Sequence, residues 1–316
     1  MMTKPVVLKA AKLPQTTGAE LEELFDLRIL PESDPAAWLA QNGKGVRGLA
    51  LRKTIVDQAL LDALPDLEVI ASYSAGLDNV DVPAVKARGI KLLNTSHILA
   101  EDVANAALGL ALAVTRDLVQ ADGFVRTGKW PEQPQYKLGR SISQMDVGIV
   151  GLGTIGKALA RRLEAMGARI HYQGPNRKPV EYTYHTSAVS LAEACDLVIL
   201  TCPLTEATRH SFGAAEIAAL GPRGFLVNVA RGPVVDEAAL LEAMARDGLA
   251  GAALDVFEHE PQVPQAFIDD PRLILTPHLG SGTEETRQAM ADYVVDALAE
   301  HFGQNSPRTA RPLAQV

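Results

Sequence analysis

The stretch Val147-Gly148-Ile149-Val150-Gly151-Leu152-Gly153-Thr154-Ile155-Gly156 runs from an apolar, β-branched segment into G-x-G-x-x-G and then into a helical pattern. It reads as the βα turn of a dinucleotide-binding unit. Gly151 permits the tight turn, Gly153 lets the backbone approach a pyrophosphate, and Gly156 allows close packing of helix on strand. The amides of Thr154 and Ile155 open the helix, whose N-terminus carries partial positive charge suited to a phosphate. Three glycines alone also mark ordinary tight turns, so the flanks decide the reading. A strand pattern precedes the motif. After it, Lys157 to Met166 carries apolar residues at helical spacing, closed by Gly167 as a C-cap.

The acidic end of this unit departs from the usual pattern. In an NAD site the second strand ends about 20 residues on in Asp or Glu, which accepts hydrogen bonds from the adenine ribose. Here that strand is Arg169-Ile170-His171-Tyr172-Gln173, and Gln173 stands where the acid is expected. An acid there would repel a 2′-phosphate. Asn176, Arg177 and Lys178 follow and offer an amide and two cations, which favours NADP(H) over NAD(H), with Arg177 the leading phosphate partner. The plainer alternative is a solvated basic turn.

A chain of 316 residues with 47% hydrophobic content predicts a globular protein of two domains. The net charge of −8 argues against nonspecific binding to nucleic acid or anionic membrane. Met1 to Val6 holds no signal-peptide apolar region, and no apolar run reads as a membrane span, so a cytoplasmic location is expected. Cys195 and Cys202 form neither a disulfide framework nor a metal-ligand pattern, and read as buried, reduced thiols.

Strand-like runs near Val6–Lys9, Leu27–Leu30, Gly48–Leu51, Leu67–Ser72 and Ile90–Leu93 define a first α/β unit. Glu101 to Val119 predicts one long, alanine-rich helix that carries the chain onward. The glycine motif then opens a second α/β series, with strands near Leu197–Thr201, Phe225–Val229, Ala252–Asp255 and Leu273–Leu275. Glu284 to His301 is helical and can return to the first unit. Gly303 to Val316 reads as a loosely ordered tail.

Chemistry-bearing residues gather where the last three strands end, which is where an open parallel sheet places its ligand loops. Arg231 follows Val227-Asn228-Val229-Ala230 and offers a planar fork for a carboxylate and carbonyl. Asp255 and Glu260 follow the next strand, and His278 the last. Singly, each has a structural alternative: a surface arginine, a turn-capping aspartate, a solvated glutamate, a satisfied loop histidine. Together they form an acid, its orienting carboxylate and an anion clamp.

These residues, with Pro203-Leu204-Thr205 and Thr208, Val235-Asp236-Glu237 with Leu240, Ala253 to Pro261, and Pro277-His278, resemble the D-specific 2-hydroxyacid dehydrogenases over nearly the whole chain. The resemblance implies two doubly wound parallel-sheet α/β domains. A Rossmann cofactor domain of residues 99–286 would be inserted into a flavodoxin-like substrate domain of residues 1–98 and 287–316, with the active site in the cleft between them. It places the catalytic arginine, glutamate and histidine on Arg231, Glu260 and His278, and the acid near the nicotinamide carboxamide on Asp255. Cys202, Pro203, Thr208, Val229 and Gly280 join the cofactor contacts. Ser74-Ala75-Gly76 looks like the loop whose amides hold the substrate carboxylate, with Ala75 and Gly76 the binding residues. Arg52 adds positive charge there or serves only the surface, and Leu51, Ser74 and Leu279 join the lining. Trp130 is similar to an aromatic that borders the pocket, at times from a partner subunit, or else packs in a core.

By this resemblance the chain is an NADPH-dependent reductase of small 2-oxo acids, most like the glyoxylate/hydroxypyruvate and hydroxyphenylpyruvate reductase branch. Glyoxylate and hydroxypyruvate are the favoured substrates and phenylpyruvate-type acids the alternative. Hydride would pass to C2 while His278 donates a proton, Arg231 steadies the oxygen and Glu260 favours imidazolium. A homodimer is expected, with no metal, nucleic acid or membrane partner. From another class, a non-catalytic NADP(H)-sensing protein remains the rival, because relatives on this scaffold include corepressors.

Overall fold

The chain divides into two units, Met1–Leu99 with Thr283–Val316, and Ala100–Gly282. The computed structural model describes residues 4–305. The first unit alternates strand and helix: β1 (Val6–Ala10), α1 (Gln15–Leu24), β2 (Asp26–Ile29), α2 (Pro35–Asn42), β3 (Val46–Leu51), α3 (Gln58–Ala63), β4 (Val69–Ser72), α4 (Val82–Ala87) and β5 (Lys91–Leu93). All pairings are parallel and the order is β2-β1-β3-β4-β5, the flavodoxin-like arrangement. Aspartates start α3 and α4: Asp57 accepts from Leu60 N–H at 2.9 Å and Asp81 from Ala84 N–H at 3.0 Å, each satisfying an amide the helix leaves unpaired.

In the second unit α5 (Ser96–Arg116) leads to α6 (Leu118–Arg126). There follow β6 (Asp146–Val150), α7 (Thr154–Ala165), β7 (Arg169–Gln173), β8 (Thr183–His185), α8 (Ala188–Ala194), β9 (Leu197–Leu200), α9 (Ala214–Leu220), β10 (Phe225–Asn228), α10 (Glu237–Ala245), β11 (Gly251–Leu254), α11 (Gln265–Asp269) and β12 (Leu273–Leu275). Its seven parallel strands lie in the order β12-β11-β10-β9-β6-β7-β8. The first strand, β6, sits between β9 and β7, so the winding direction reverses there, as in a Rossmann sheet. Covered on both faces, the inner strands are apolar throughout: every residue of β9, β10 and β11 is buried.

The last helix, α12 (Glu284–His301), belongs to the first unit and packs on α1 and β4. A β-carbon on Gly48 of β3 would lie 3.1 Å from Phe302 and 3.2 Å from Leu298, so the missing side chain makes room for this helix.

Three expectations need correction. The long helix begins at Ser96, not Glu101, and stops at Arg116 because Asp117 takes a left-handed φ of 55° that a helix cannot absorb. This helix is also long and apolar enough to cross a membrane, which the sequence reading did not see. Half of that stretch is buried inside the protein, with Ala104, Ala107 and Ala111 fully covered, so its apolarity serves packing. The edge strand β8 was not foreseen; its Thr-Tyr-His is too short to show a period. Of the expected tail, 306–316 lie outside the described residues.

Candidate active site

The glycine motif connects β6 to α7, and the space around each glycine differs. Gly151 has φ +95°, and a β-carbon there would meet the Cys202 backbone at 2.7 Å. On Gly156 it would strike the Gly151 carbonyl oxygen at 2.3 Å, which fixes how closely α7 lies on β6. On Gly153 it would meet nothing within 4 Å. The turn is therefore sterically closed behind and open in front, the shape required of a pyrophosphate cradle. The first hydrogen bond of α7 runs from Lys157 N–H to Gly153 C=O, so the amides of Thr154, Ile155 and Gly156 precede the helical ladder. Thr201, which the sequence reading missed, donates its hydroxyl to the Gly151 carbonyl at 2.7 Å and braces the turn from β9.

At the end of β7 the Gln173 carbonyl accepts from Gly151 N–H at 2.9 Å. Asn176, Arg177 and Lys178 follow on an exposed turn, and neither cation meets a carboxylate among the described residues. After β9, Cys202 is buried. Thr208 donates its hydroxyl to Pro203 C=O at 2.7 Å and accepts from Thr205 N–H at 2.7 Å, so it shapes the turn. Burial pushes the thiol pKa values up, to about 12 for Cys195 and about 11 for Cys202, and both sulfurs are free.

Sheet order then brings the acid and base groups to one edge. β10, β11 and β12 are neighbours, and their carboxyl ends lead to Arg231, to Asp255 and Glu260, and to His278. His278 faces Glu260 directly: its Nδ1 lies 3.0 Å from Oε1 and 2.8 Å from Oε2. With Nδ1–H donated to the carboxylate, Nε2 is the nitrogen left to face solvent, and the side chain is 45% exposed.

The backbone of His278 is left-handed, φ 53°, and Asp255 holds it there. Asp255 is 2% exposed, and three donors converge on its carboxylate: the Thr276 hydroxyl at 2.6 Å, Leu279 N–H at 2.9 Å and Gly280 N–H at 2.9 Å. His278 N–H donates to the Asp255 carbonyl at 2.8 Å. The turn-capping alternative raised for Asp255 is thus what the hydrogen bonds display, with the Gly280 amide among its donors. Arg231 has a similar support. Buried Asn228 donates Nδ2–H to Arg231 C=O at 3.0 Å and accepts Ala230 N–H at 3.0 Å, while Arg231 Nη1 donates to Ala230 C=O at 2.7 Å. Val229 is buried beside it. Half-buried Thr276 and the bracing role of buried Asn228 escaped the sequence reading, because a lone polar residue at a strand end carries no periodic signal.

Within the first unit, Ser74-Ala75-Gly76 forms the loop after β4. Asn94 Nδ2 donates to Ala75 C=O at 2.9 Å and Thr95 N–H to Ser74 C=O at 3.1 Å. Arg52 lies over the Tyr73 ring, 5.8 Å from its centroid. Trp130, in the second unit, is 55% exposed, which removes the core-packing alternative. Among the described residues, no group of His, Cys, Asp and Glu is arranged to hold a metal ion.

A parallel sheet with a closed-back glycine turn at its switch point and a His–Glu pair on the same edge defines a dinucleotide-dependent dehydrogenase. The chain belongs to the D-isomer specific 2-hydroxyacid dehydrogenases: the NAD-binding domain of that family matches residues 108–280. It is 43% identical to glyoxylate/hydroxypyruvate reductase A of Arabidopsis thaliana, over 91% of this chain and 92% of that one. It is also 43% identical to hydroxyphenylpyruvate reductase of Plectranthus scutellarioides, over 90% and 91%. Among solved structures, an NADPH-dependent glyoxylate/hydroxypyruvate reductase of Sinorhizobium meliloti, in complex with NADP and malonate, superposes with a TM-score of 0.88 at 40% identity, covering 99% of this chain and 97% of that one.

Proposed function

We propose that the enzyme reduces small 2-oxo acids, glyoxylate and hydroxypyruvate foremost, to 2-hydroxy acids with NADPH. The observation that carries this reading is the Glu260–His278 pair beside Arg231 on the ligand edge of the dinucleotide sheet. Relatives with that activity align over nine-tenths of the chain. The reduced nicotinamide, when bound, supplies the hydride. His278 delivers the Nε2 proton to the carbonyl oxygen as negative charge develops, and Glu260 orients the ring by accepting from Nδ1–H. Arg231 steadies the same oxygen and the substrate carboxylate through its fork. The amides of Ala75 and Gly76 hold that carboxylate, and Arg52 adds positive charge. Cys202, Pro203, Thr208 and Val229 complete the cofactor contacts in this reading, while Asp255 holds the loop that carries His278.

Preference for NADPH is supported by Gln173 in place of an acid and by the uncompensated Arg177 and Lys178. A homodimer is supported by exposed Leu118, Val119, Val125 and Leu138. A cytoplasmic location is proposed with it, supported by the two reduced thiols. The hydroxyphenylpyruvate reductase relative favours phenylpyruvate-type acids as the second reading.

The test follows nicotinamide absorbance with glyoxylate, hydroxypyruvate and phenylpyruvate, each with NADPH and with NADH. Faster turnover of the two small acids with NADPH is expected. A phenylpyruvate maximum selects the second reading, and no turnover with any 2-oxo acid defeats both.

A further inference from the structure

We propose that Tyr172 and Tyr184 are positioning residues that set cofactor choice by pinning both ends of the turn carrying Asn176 and Arg177; this rests on the NADP(H) reading above. Tyr172 is the penultimate residue of β7, one before Gln173, so alternation turns its ring to the opposite face, where it is 1% exposed. Its hydroxyl reaches past the turn, accepting from Lys178 N–H at 2.7 Å and donating to Lys178 C=O at 3.3 Å. Tyr184 is its register partner across the parallel β7–β8 pair, and the rings lie 5.2 Å apart at 45°. The Tyr184 hydroxyl donates to Gly174 C=O at 3.1 Å.

One tyrosine thus holds the first residue of the turn and the other the last. Between them Pro175, Asn176 and Arg177 are exposed, and Pro175 and Pro179 restrict φ at either end. A tethered turn has less backbone entropy to lose when its cation closes on a phosphate, so tethering strengthens the phosphate contact in particular. The cradle at Gly153, which both dinucleotides share, touches neither hydroxyl. This also gives the three-residue β8 a purpose: it brings the Tyr184 hydroxyl to the turn.

The test is titration of NADPH and NADH, by quenching of protein fluorescence, against wild type, Tyr172→Phe, Tyr184→Phe, the double variant and Arg177→Ala, with melting temperatures alongside. Phenylalanine keeps each ring and removes only the hydroxyl. The expected result is a Kd for NADPH raised roughly 3- to 10-fold per hydroxyl, with the NADH Kd unchanged within about twofold. If Tyr172→Phe does not fold, Tyr184→Phe at the less buried edge reads the same effect. Equal weakening of both cofactors would show a merely structural role and overturn the proposal. An unchanged NADPH:NADH ratio in the tyrosine variants, with the ratio lost in Arg177→Ala, overturns the clamp and leaves the cofactor reading standing. No preference for NADPH in wild type overturns both.

Discussion

Replacing Asp255 with asparagine leaves one oxygen where two accept three hydrogen bonds now. The remaining oxygen serves Thr276 and Leu279, and the new amide confronts Gly280 N–H across 2.9 Å. A buried donor stripped of its acceptor costs about 1–3 kcal/mol, and the two surviving bonds lose the charge that makes them roughly twice as strong as neutral ones. The neutral amide escapes the desolvation cost of a carboxylate that is 2% exposed, which puts the net loss near the low end, about 2 kcal/mol. For a unit of this size, that lowers Tm by about 4–8 °C. The loop released is the one that holds His278 at φ 53°, so kcat should fall roughly 10- to 100-fold as the imidazole leaves its bearing on Glu260. Thermal melting followed by circular dichroism, with steady-state kinetics at saturating cofactor, tests this. An Asp255→Asn protein with wild-type Tm and kcat and only a weaker cofactor Kd would refute the reasoning, because the carboxylate would then serve the cofactor and not the loop.

Other changes separate the remaining parts of the site. Gly153→Val faces open space and should fold normally while cofactor Kd rises at least about tenfold; an unchanged Kd would mean that the cradle is elsewhere. Arg231→Lys keeps the charge but loses the bidentate fork, so kcat/KM should drop roughly 100-fold with little change in cofactor affinity, as read from initial rates. Because burial raises the pKa of Cys195 to about 12 and of Cys202 to about 11, an aromatic disulfide reagent at pH 8 should label neither thiol in the native enzyme and both in guanidinium. The Asp146 carboxyl is held below its ordinary value first by the hydrogen bond from Arg169. Its contribution to stability is therefore present above about pH 4 and lost as pH falls through the lowered folded value. Asp146→Asn should flatten that part of an acid denaturation curve, and an unchanged acid limb would place the sensitivity elsewhere.

The sequence made the working residues visible and hid what supports them, for a physical reason. Arg231, Glu260, His278 and Arg177 sit at strand ends or on turns where periodicity breaks off, so a charged side chain there stands out against the apolar strand before it. Strand positions were legible to within two residues because inner strands of a parallel sheet are apolar on both faces. The break at Asp117 was not legible: the helical pattern continues through Leu118 and Val119, and only a left-handed φ separates the two helices. Nor was β8, whose three residues owe their pairing to β7 and not to their own pattern.

The supports share one design. Asn228 beneath Arg231 is 1% exposed, Asp255 beneath His278 2%, Tyr172 beneath the Arg177 turn 1%, and Asn94 beneath the Ala75 carbonyl 4%. Each is a buried polar side chain that hydrogen-bonds the main chain at or next to a working group, rather than the working side chain itself. Main-chain support fixes where a working side chain starts, which preorganisation requires. It also predicts how such sites fail. Removing a working residue should abolish its chemistry and spare the fold, whereas removing a support should cost stability and chemistry together, and that joint loss is what the Asp255→Asn measurement looks for.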